Sequence, residues 1–291
     1  SRACAGTFLR ATSSRHRRVT SGRGRPRAPA CLDEPKYAIF RLVTFSVADR
    51  PMLIFVSDIH LTDALHGTKV SKADTFARFW KRIQASRGAR PAHLCFVGDL
   101  FDLVRSPTWF EGSARPYDPP SDQVVATVER IVESTIAREG AFFAAVRARV
   151  QAGELEVHYV LGNHDRLLGV APNARRKIFF ALTGEDRDTT FPSEASFPDH
   201  GVIAYHGHVG DPINQRPAGA ATIGDAIGCE LILRFPAEVR RQVEDVPAQI
   251  EDIDDVRPIY AVPAWVRSQG IVRHDLLRPV QNTWAALVED F

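Results

Sequence analysis

The chain has 291 residues, of which 44% are hydrophobic and 25% charged, which is typical of a globular protein with one large domain or two small ones. No run of eighteen apolar residues occurs, so we expect no membrane-spanning helix. The net charge of +2 hides an asymmetry: residues 1–32 contain eight Arg and no acidic residue, so residues 33–291 carry a net charge of −6. This acidic body argues against a nucleic acid partner.

Residues 1–51 differ from the rest of the chain. They open rich in Arg and Ser, which is typical of a disordered tail or of an organelle-targeting segment. A third interpretation comes from Met52, the single Met, which directly precedes an apolar run, so that the natural protein would begin there and the preceding residues would be non-native. Tyr37 to Val47 is apolar enough to form a strand. We therefore divide the chain into a tail, 1–51, and one domain, 52–291.

The four cysteines show neither disulfide nor zinc-finger spacing, which indicates a reducing compartment. We expect a cytoplasmic location, with targeting by the Arg-rich tail left open.

Four short apolar runs are each followed by polar side chains that can bind metal ions. The runs are Leu53–Val56, Leu94–Val97, Leu155–Val160 and Val202–Tyr205. Their length and their Gly or Asp boundaries predict buried strands. In open α/β sheets the ligand site lies beyond the carboxyl ends of the strands. The polar side chains after these runs are therefore expected to share one site.

Helical periodicity separates these strands. Phe76, Phe79, Trp80 and Ile83 form an apolar stripe in a helix predicted over 69–86. Further helices are predicted over 124–150, 175–182 and 283–291, the last with Asn282 as its cap. The alternation of strands and helices predicts an α/β fold. The segment 105–122, rich in Pro and aromatic residues, is predicted to be a long loop beside the site.

The segments after the strands read Asp58-Ile59-His60, Gly98-Asp99, Gly162-Asn163-His164-Asp165 and a later His206. This order resembles the calcineurin-like metallophosphoesterase superfamily, with four of its five sequence blocks matched between about residues 52 and 211. The resemblance implies two packed mixed β-sheets flanked by helices. The polar segment after His208 resembles a bacterial branch that includes UDP-2,3-diacylglucosamine pyrophosphohydrolases.

The resemblance also implies a site for two divalent metal ions, Mn, Fe or Zn. Asp99 would bridge the two ions, Asp58 and His60 would hold the first, and Asn163 and His206 the second. It implies hydrolysis of a phosphomonoester, phosphodiester or pyrophosphate through a metal-activated hydroxide, on a phosphorylated small-molecule or lipid-linked substrate. Two alternatives stay open: a non-catalytic or degenerate scaffold, and a nuclease of the same superfamily.

His164 has a different implied role. In the family the corresponding His acts on the leaving group as a general acid, and Asp102 matches the acid that orients it. Asp102 could instead cap the following turn. Asp165 is expected to make structural hydrogen bonds beneath the loop. The other histidines, His66, His93, His158, His200 and His274, are expected to be surface or packing residues.

The segment Tyr205-His206-Gly207-His208 could be the final block of the family pattern, G-H-x-H, with Tyr in place of Gly, but we favour it as the fourth block. No G-H-x-H then follows His208. Either the sequence is a fragment that ends before the last strands, or the site is degenerate; we favour the fragment. Each metal ion would then lack one imidazole ligand. We expect weak metal binding and little activity from the chain as written, with His208 as a possible partial substitute.

Overall fold

The computed structural model describes residues 9–11, 50–63, 71–214, 220–243, 246, 250, 252–253, 256, 261–272 and 276–291. The strand predicted over Tyr37 to Val47 lies outside these residues, as do His66 and His274.

The described strands form two sheets. They are β1 (Leu9–Ala11), β2 (Met52–Val56), β3 (Ala92–Val97), β4 (Leu155–Val160), β5 (Glu194–Phe197) and β6 (Val202–Tyr205). The first sheet has the order β2-β3-β4 and is parallel, and the second has the order β1-β6-β5 and is antiparallel. All four predicted strands are present, and the predicted α/β fold with two packed sheets flanked by helices is confirmed.

The described helices are α1 (Lys72–Arg87), α2 (Asp122–Arg138), α3 (Gly140–Gln151), α4 (Pro172–Thr183), α5 (Ile223–Ala226), α6 (Arg234–Gln242), α7 (Val262–Val272) and α8 (Leu277–Asp290). A π-helical stretch, Ile227–Leu233, joins α5 to α6. None of the described helices has the length and apolar character needed to cross a membrane.

The helical region predicted over 124–150 is present as two helices, because the backbone leaves the helical conformation at Glu139 and restarts at Gly140, a poor residue for a helix interior. Two other sequence predictions differ from the structure. The last helix begins at Leu277, so Asn282 lies inside it and is not its cap. Pro279 is tolerated there because it falls in the first turn. A short 3₁₀ helix, Pro107–Glu111, interrupts the predicted long loop.

The central strand β3 of the parallel sheet is buried on both faces. Along β3, Leu94 and Phe96 join the core under the helices, whereas Cys95 and Val97 pack against the antiparallel sheet. This alternation follows from the two-residue period of a strand. Burial on both sides explains why the strands appear in the sequence as nearly continuous apolar runs.

The C-terminal helices have an apolar core of their own, which includes Phe235, Val239 and Val280. Polar contacts connect these helices to the loop that follows β3. Arg115 Nε and the Tyr117 hydroxyl both donate to Glu230 Oε1, at 3.0 and 2.8 Å. These contacts place the C-terminal helices beside the loops that follow the parallel strands.

The buried face of α2 supplies a test of this architecture. Ile131 is completely buried in the main core, so I131A should lower the free energy of unfolding by about 2–5 kcal/mol through lost burial and a residual cavity. Urea denaturation measures the change. V288A, at a 48% exposed position on α8, is the matched control and should change stability by less than about 0.5 kcal/mol. Equal effects of the two substitutions would contradict this packing.

Candidate active site

The loops that follow β2 and β3 run side by side beyond the sheet. His60 N donates to Asp99 O at 3.0 Å, Leu61 N to Leu100 O at 2.8 Å, and Asp102 N back to Leu61 O at 2.8 Å. Leu61 and Phe101 also form an isolated parallel bridge. This continued pairing holds the polar side chains of both loops together at the carboxyl edge of the sheet.

Three residues at this edge have a left-handed backbone. The φ angles are 56° for Asp58, 51° for His60 and 54° for Asp99, and these are the described residues other than Gly with positive φ. Such a conformation is costly for a residue with a Cβ, and it persists where the surrounding structure imposes it. Its concentration at three predicted metal ligands marks this edge as a functional site.

Two glycines leave the space that the ligands occupy. A Cβ on Gly98 would lie 2.4 Å from Cγ of His206, and one on Gly162 would lie 2.1 Å from Oδ1 of Asp99. Both distances are far below van der Waals contact. Each glycine therefore allows a ligand side chain to lie directly against the backbone of the neighbouring loop.

Asp99 is buried at the centre of the site. Its Oδ2 lies 3.2 Å from His206 Nε2, and its Oδ1 accepts a hydrogen bond of 2.9 Å from the backbone N of His164. Burial alone would raise the pKa of Asp99, but His164, His206 and His60 together hold that pKa below its usual range. The carboxylate is therefore ionised.

Asp99 also belongs to two separate groups of possible metal ligands. One contains Asp58, Asp99 and His206, and the other His60, Asp99 and His164; within each group the donor atoms lie within 4.8 Å of one another. Four of the five predicted ligands, Asp58, His60, Asp99 and His206, thus lie in these groups with Asp99 shared, whereas Asn163 lines the neighbouring cavity. The groups differ from the predicted pairs in one respect, because Asp58 lies with His206 and His60 lies with His164.

His206 and His60 both have raised pKa values. His206 Nδ1 lies 2.8 Å from Val97 O, which leaves Nε2 directed at Asp99. Burial would lower the pKa of His206, but Asp99 prevails and raises it to about 9. The pKa of His60 is likewise raised to about 9 against burial, by Asp102 and Asp58. Burial opposes the ionised form of Asp58, yet the hydrogen bond with His60 leaves its pKa lowered.

Asp102 contacts His164 and Arg105. Its Oδ1 lies 2.9 Å from Nδ1 of His164 and accepts a 3.1 Å hydrogen bond from Arg105 N, so Asp102 makes a contact of the kind that each of the two predicted roles requires. Arg105 Nε donates to Oδ2 at 2.6 Å. Burial would raise the pKa of Asp102, but Arg105 and His164 hold it well below its usual range. The sequence analysis missed Arg105; its spacing of three residues from Asp102 is the signal that was available.

Asp165 supports the loop from below, as predicted. It accepts hydrogen bonds from Gly162 N at 2.6 Å, from Leu100 N at 3.1 Å and from the Tyr159 hydroxyl at 2.7 Å. Burial, and then the charge of Asp99, raise its pKa to about 7. Asp165 therefore connects the loops after β3 and β4 without pointing into the ligand groups.

A cavity of about 280 Å³ opens beside Asn163 and His164. Its lining combines polar residues, such as Arg105 and Asp211, with apolar residues, such as Ile213. Ile232 and Val262 come from the C-terminal part of the chain, and no local sequence signal could have indicated their contribution. Of the loop aromatics, Trp109 is fully buried and donates from Nε1 to Leu103 O at 2.6 Å, so it packs locally.

The donor set fits divalent metal ions. Carboxylates, imidazoles and one amide together suit Mn, Fe or Zn. His208 Nδ1 is buried and has no hydrogen-bond partner among the described residues, whereas His60 Nδ1 lies 3.4 Å from Asp102 Oδ2. Burial, and then His206, lower the pKa of His208, which favours the neutral imidazole that metals bind. The rings of His206 and His208 lie 5.2 Å apart, but His208 belongs to neither donor group.

A protein-family model described as calcineurin-like phosphoesterase matches residues 52–234. No curated protein and no solved structure gave a match. The matched region contains the three parallel strands, the four sequence blocks and both donor groups. The chain therefore belongs to the calcineurin-like phosphoesterase family, whose members hydrolyse phosphoester bonds with divalent metal ions.

Proposed function

We propose that this chain is a binuclear metal-dependent phosphoesterase, with Asp99 as the ligand shared by both ions. The observation that carries the proposal is the membership of Asp99 in both donor groups. Asp58, His60, Asn163 and His206 complete the proposed ligand set, with His208 as a further candidate. When bound, divalent ions would neutralise phosphoryl oxygens and supply hydroxide at neutral pH.

The arrangement of Asp99 supports a shared role. A carboxylate has two oxygens that can each face a cation, and here Oδ2 faces His206 while Oδ1 faces the loop of His164. Its negative charge is maintained although the side chain is only 2% exposed. A neutral amide at this position would keep the shape but lose the charge between two cations.

His164 is proposed as the general acid, with Asp102 as the residue that positions it. The contact between Asp102 Oδ1 and His164 Nδ1 fixes the ring and directs Nε2 away from Asp102. Arg105 in turn holds Asp102 by two hydrogen bonds. His164 also lines the cavity, where a leaving group would lie.

The cavity supports a substrate with a polar and an apolar part. Arg105, Asn163 and His164 line it together with apolar residues that include Ile213, Ile232 and Val262. We therefore propose a phosphorylated small-molecule or lipid-linked substrate, and the bacterial branch that hydrolyses a UDP-linked diacylated sugar pyrophosphate is the specific form of that proposal. The net charge of −6 on residues 33–291 argues against a nuclease.

D99N tests the shared ligand. We expect turnover of p-nitrophenyl phosphate or bis(p-nitrophenyl) phosphate, with Mn²⁺ present, to fall by more than the roughly 100-fold that loss of a group behind a metal ligand costs. Bound metal, measured by elemental analysis, should fall in parallel while the melting temperature shows a folded protein. D186N, at an exposed position paired with Arg176, is the control and should behave as the unmodified chain. Near-normal turnover and metal content in D99N would refute the assignment. Weak metal binding and slow turnover by the unmodified chain are expected from the missing G-H-x-H block, whereas no metal binding and no turnover at all would favour the scaffold alternative.

The H164A substitution distinguishes a general acid role of His164 from a role as a metal ligand. Turnover should fall by roughly 10²–10⁴-fold, the usual loss for a general acid, with bound metal unchanged. H200A, which removes a half-buried imidazole in contact with Pro51 O, is the matched control. If H164A loses metal, His164 is a ligand, as its group with His60 and Asp99 would also allow.

I213S tests the substrate class. Ile213 is 42% exposed and lines the cavity, so this change should not disturb folding. Loss of one apolar contact of about 1.4 kcal/mol should lower kcat/KM for UDP-diacylglucosamine about tenfold, with p-nitrophenyl phosphate unaffected. I223S, at another exposed isoleucine, should change neither value. A parallel loss on both substrates would place Ile213 outside substrate recognition, and a chain active only on the nitrophenyl ester would rule out the lipid-linked class.

A further inference from the structure

A second cluster of metal-binding side chains lies near the other end of the parallel sheet. His93 is the second residue of β3, and Glu156 and His158 are the second and fourth residues of β4. In the β3–β4 register His93 is directly opposite Glu156, and residues two apart on a strand share a face. All three side chains therefore lie on the face that packs against the antiparallel sheet, away from the Asp99 site.

The separations within this cluster are those of ligands on one metal ion. His158 Nε2 lies 3.1 Å from His93 Nδ1 and 3.4 Å from Glu156 Oε1. One donor atom from each residue lies within 4.8 Å of the other two. Tetrahedral zinc with bonds of 2.0–2.1 Å spaces its ligand atoms roughly 3.3 Å apart. Little movement is thus needed to close these three donors around an ion.

The surroundings hold the two imidazoles in place. Their rings stack with centroids 5.1 Å apart and an angle of 25°, and the edge of His158 meets the Phe197 ring at 5.1 Å. Both histidines lie on strands rather than on loops, which favours a precise geometry. Glu156 and His158 also border a cavity of about 240 Å³, which leaves room for a water or another fourth ligand.

The protonation state of the cluster suits metal binding. Two imidazole nitrogens 3.1 Å apart cannot both carry a proton, so at least one of them presents a lone pair. Burial lowers the pKa of His158, although Glu156 opposes this effect. The alternative is a hydrogen-bonded cluster without metal, in which His93 and His158 share a proton and Glu156 accepts from the pair.

We propose that His93, Glu156 and His158 form a zinc site separate from the catalytic centre, with three protein ligands and one open position. Two imidazoles and a carboxylate are an established zinc donor set. An ion there would link β3 to β4 and would stabilise the folded protein by mass action.

Zinc binding by the whole chain tests the proposal. Equilibrium dialysis should show that H158A binds one equivalent of Zn²⁺ fewer than the unmodified chain. E156Q should bind that equivalent at least about tenfold more weakly. Glu156 is 62% exposed, so E156Q is the variant least able to disturb folding and decides the test if H158A does not fold. Hydrolysis of p-nitrophenyl phosphate should be unchanged in E156Q, because Glu156 lies outside the catalytic machinery.

E194Q, at an exposed glutamate on β5, is the matched control and should bind zinc as the unmodified chain does. Zinc should also raise the melting temperature of the unmodified chain and of E194Q more than that of E156Q. The same zinc stoichiometry and affinity in E156Q as in the unmodified chain would overturn the proposal and leave the hydrogen-bonded cluster. Equal losses in E156Q and E194Q would also overturn it, since they would indicate non-specific binding to surface carboxylates.

Discussion

The organisation of this protein depends on keeping one buried carboxylate, that of Asp99, charged at the end of the central strand. An isolated buried charge costs several kcal/mol, so its neighbours must compensate it. The backbone N of His164 and the ring of His206 contact its two oxygens, and Gly98 and Gly162 make room for that approach. A second buried carboxylate, Asp165, lies close by, and its pKa moves in the opposite direction. The pair therefore separates into one acid that holds its charge and one that forms hydrogen bonds within the loop.

The remaining contacts of the site connect Asp102 and then the C-terminal helices to the region around Asp99. Asp102 connects His60 and His164 to Arg105. The C-terminal helices then form the far wall of the cavity, and charged or polar groups such as Glu230 attach them to the rest. The candidate metal ligands thus lie at the edge of the parallel sheet, whereas the shape of the cavity depends on the separate apolar core of the C-terminal helices.

The sequence predicted the strands and the polar residues that follow them because that signal is local. A short apolar run followed by Asp58, or by Asp99, needs no knowledge of distant contacts, and parallel strands must bring their carboxyl ends to one edge. The cavity wall could not be predicted, because it depends on how helices far from Asn163 and His164 in the sequence pack. The approach of His93 to Glu156 was also missed, since it depends on the register of β3 against β4. The roles assigned to individual site residues stay predictions.

The left-handed backbone at Asp58, His60 and Asp99 has a consequence for how this protein can change. Strain of this kind costs on the order of 1–3 kcal/mol per residue, and a domain has only about 5–15 kcal/mol of net stability. Glycine at any of the three positions would relieve the strain and remove a donor in the same step. Selection for thermostability alone would therefore favour variants that have lost the site, and a stabilised form of this protein must be sought at positions away from this edge.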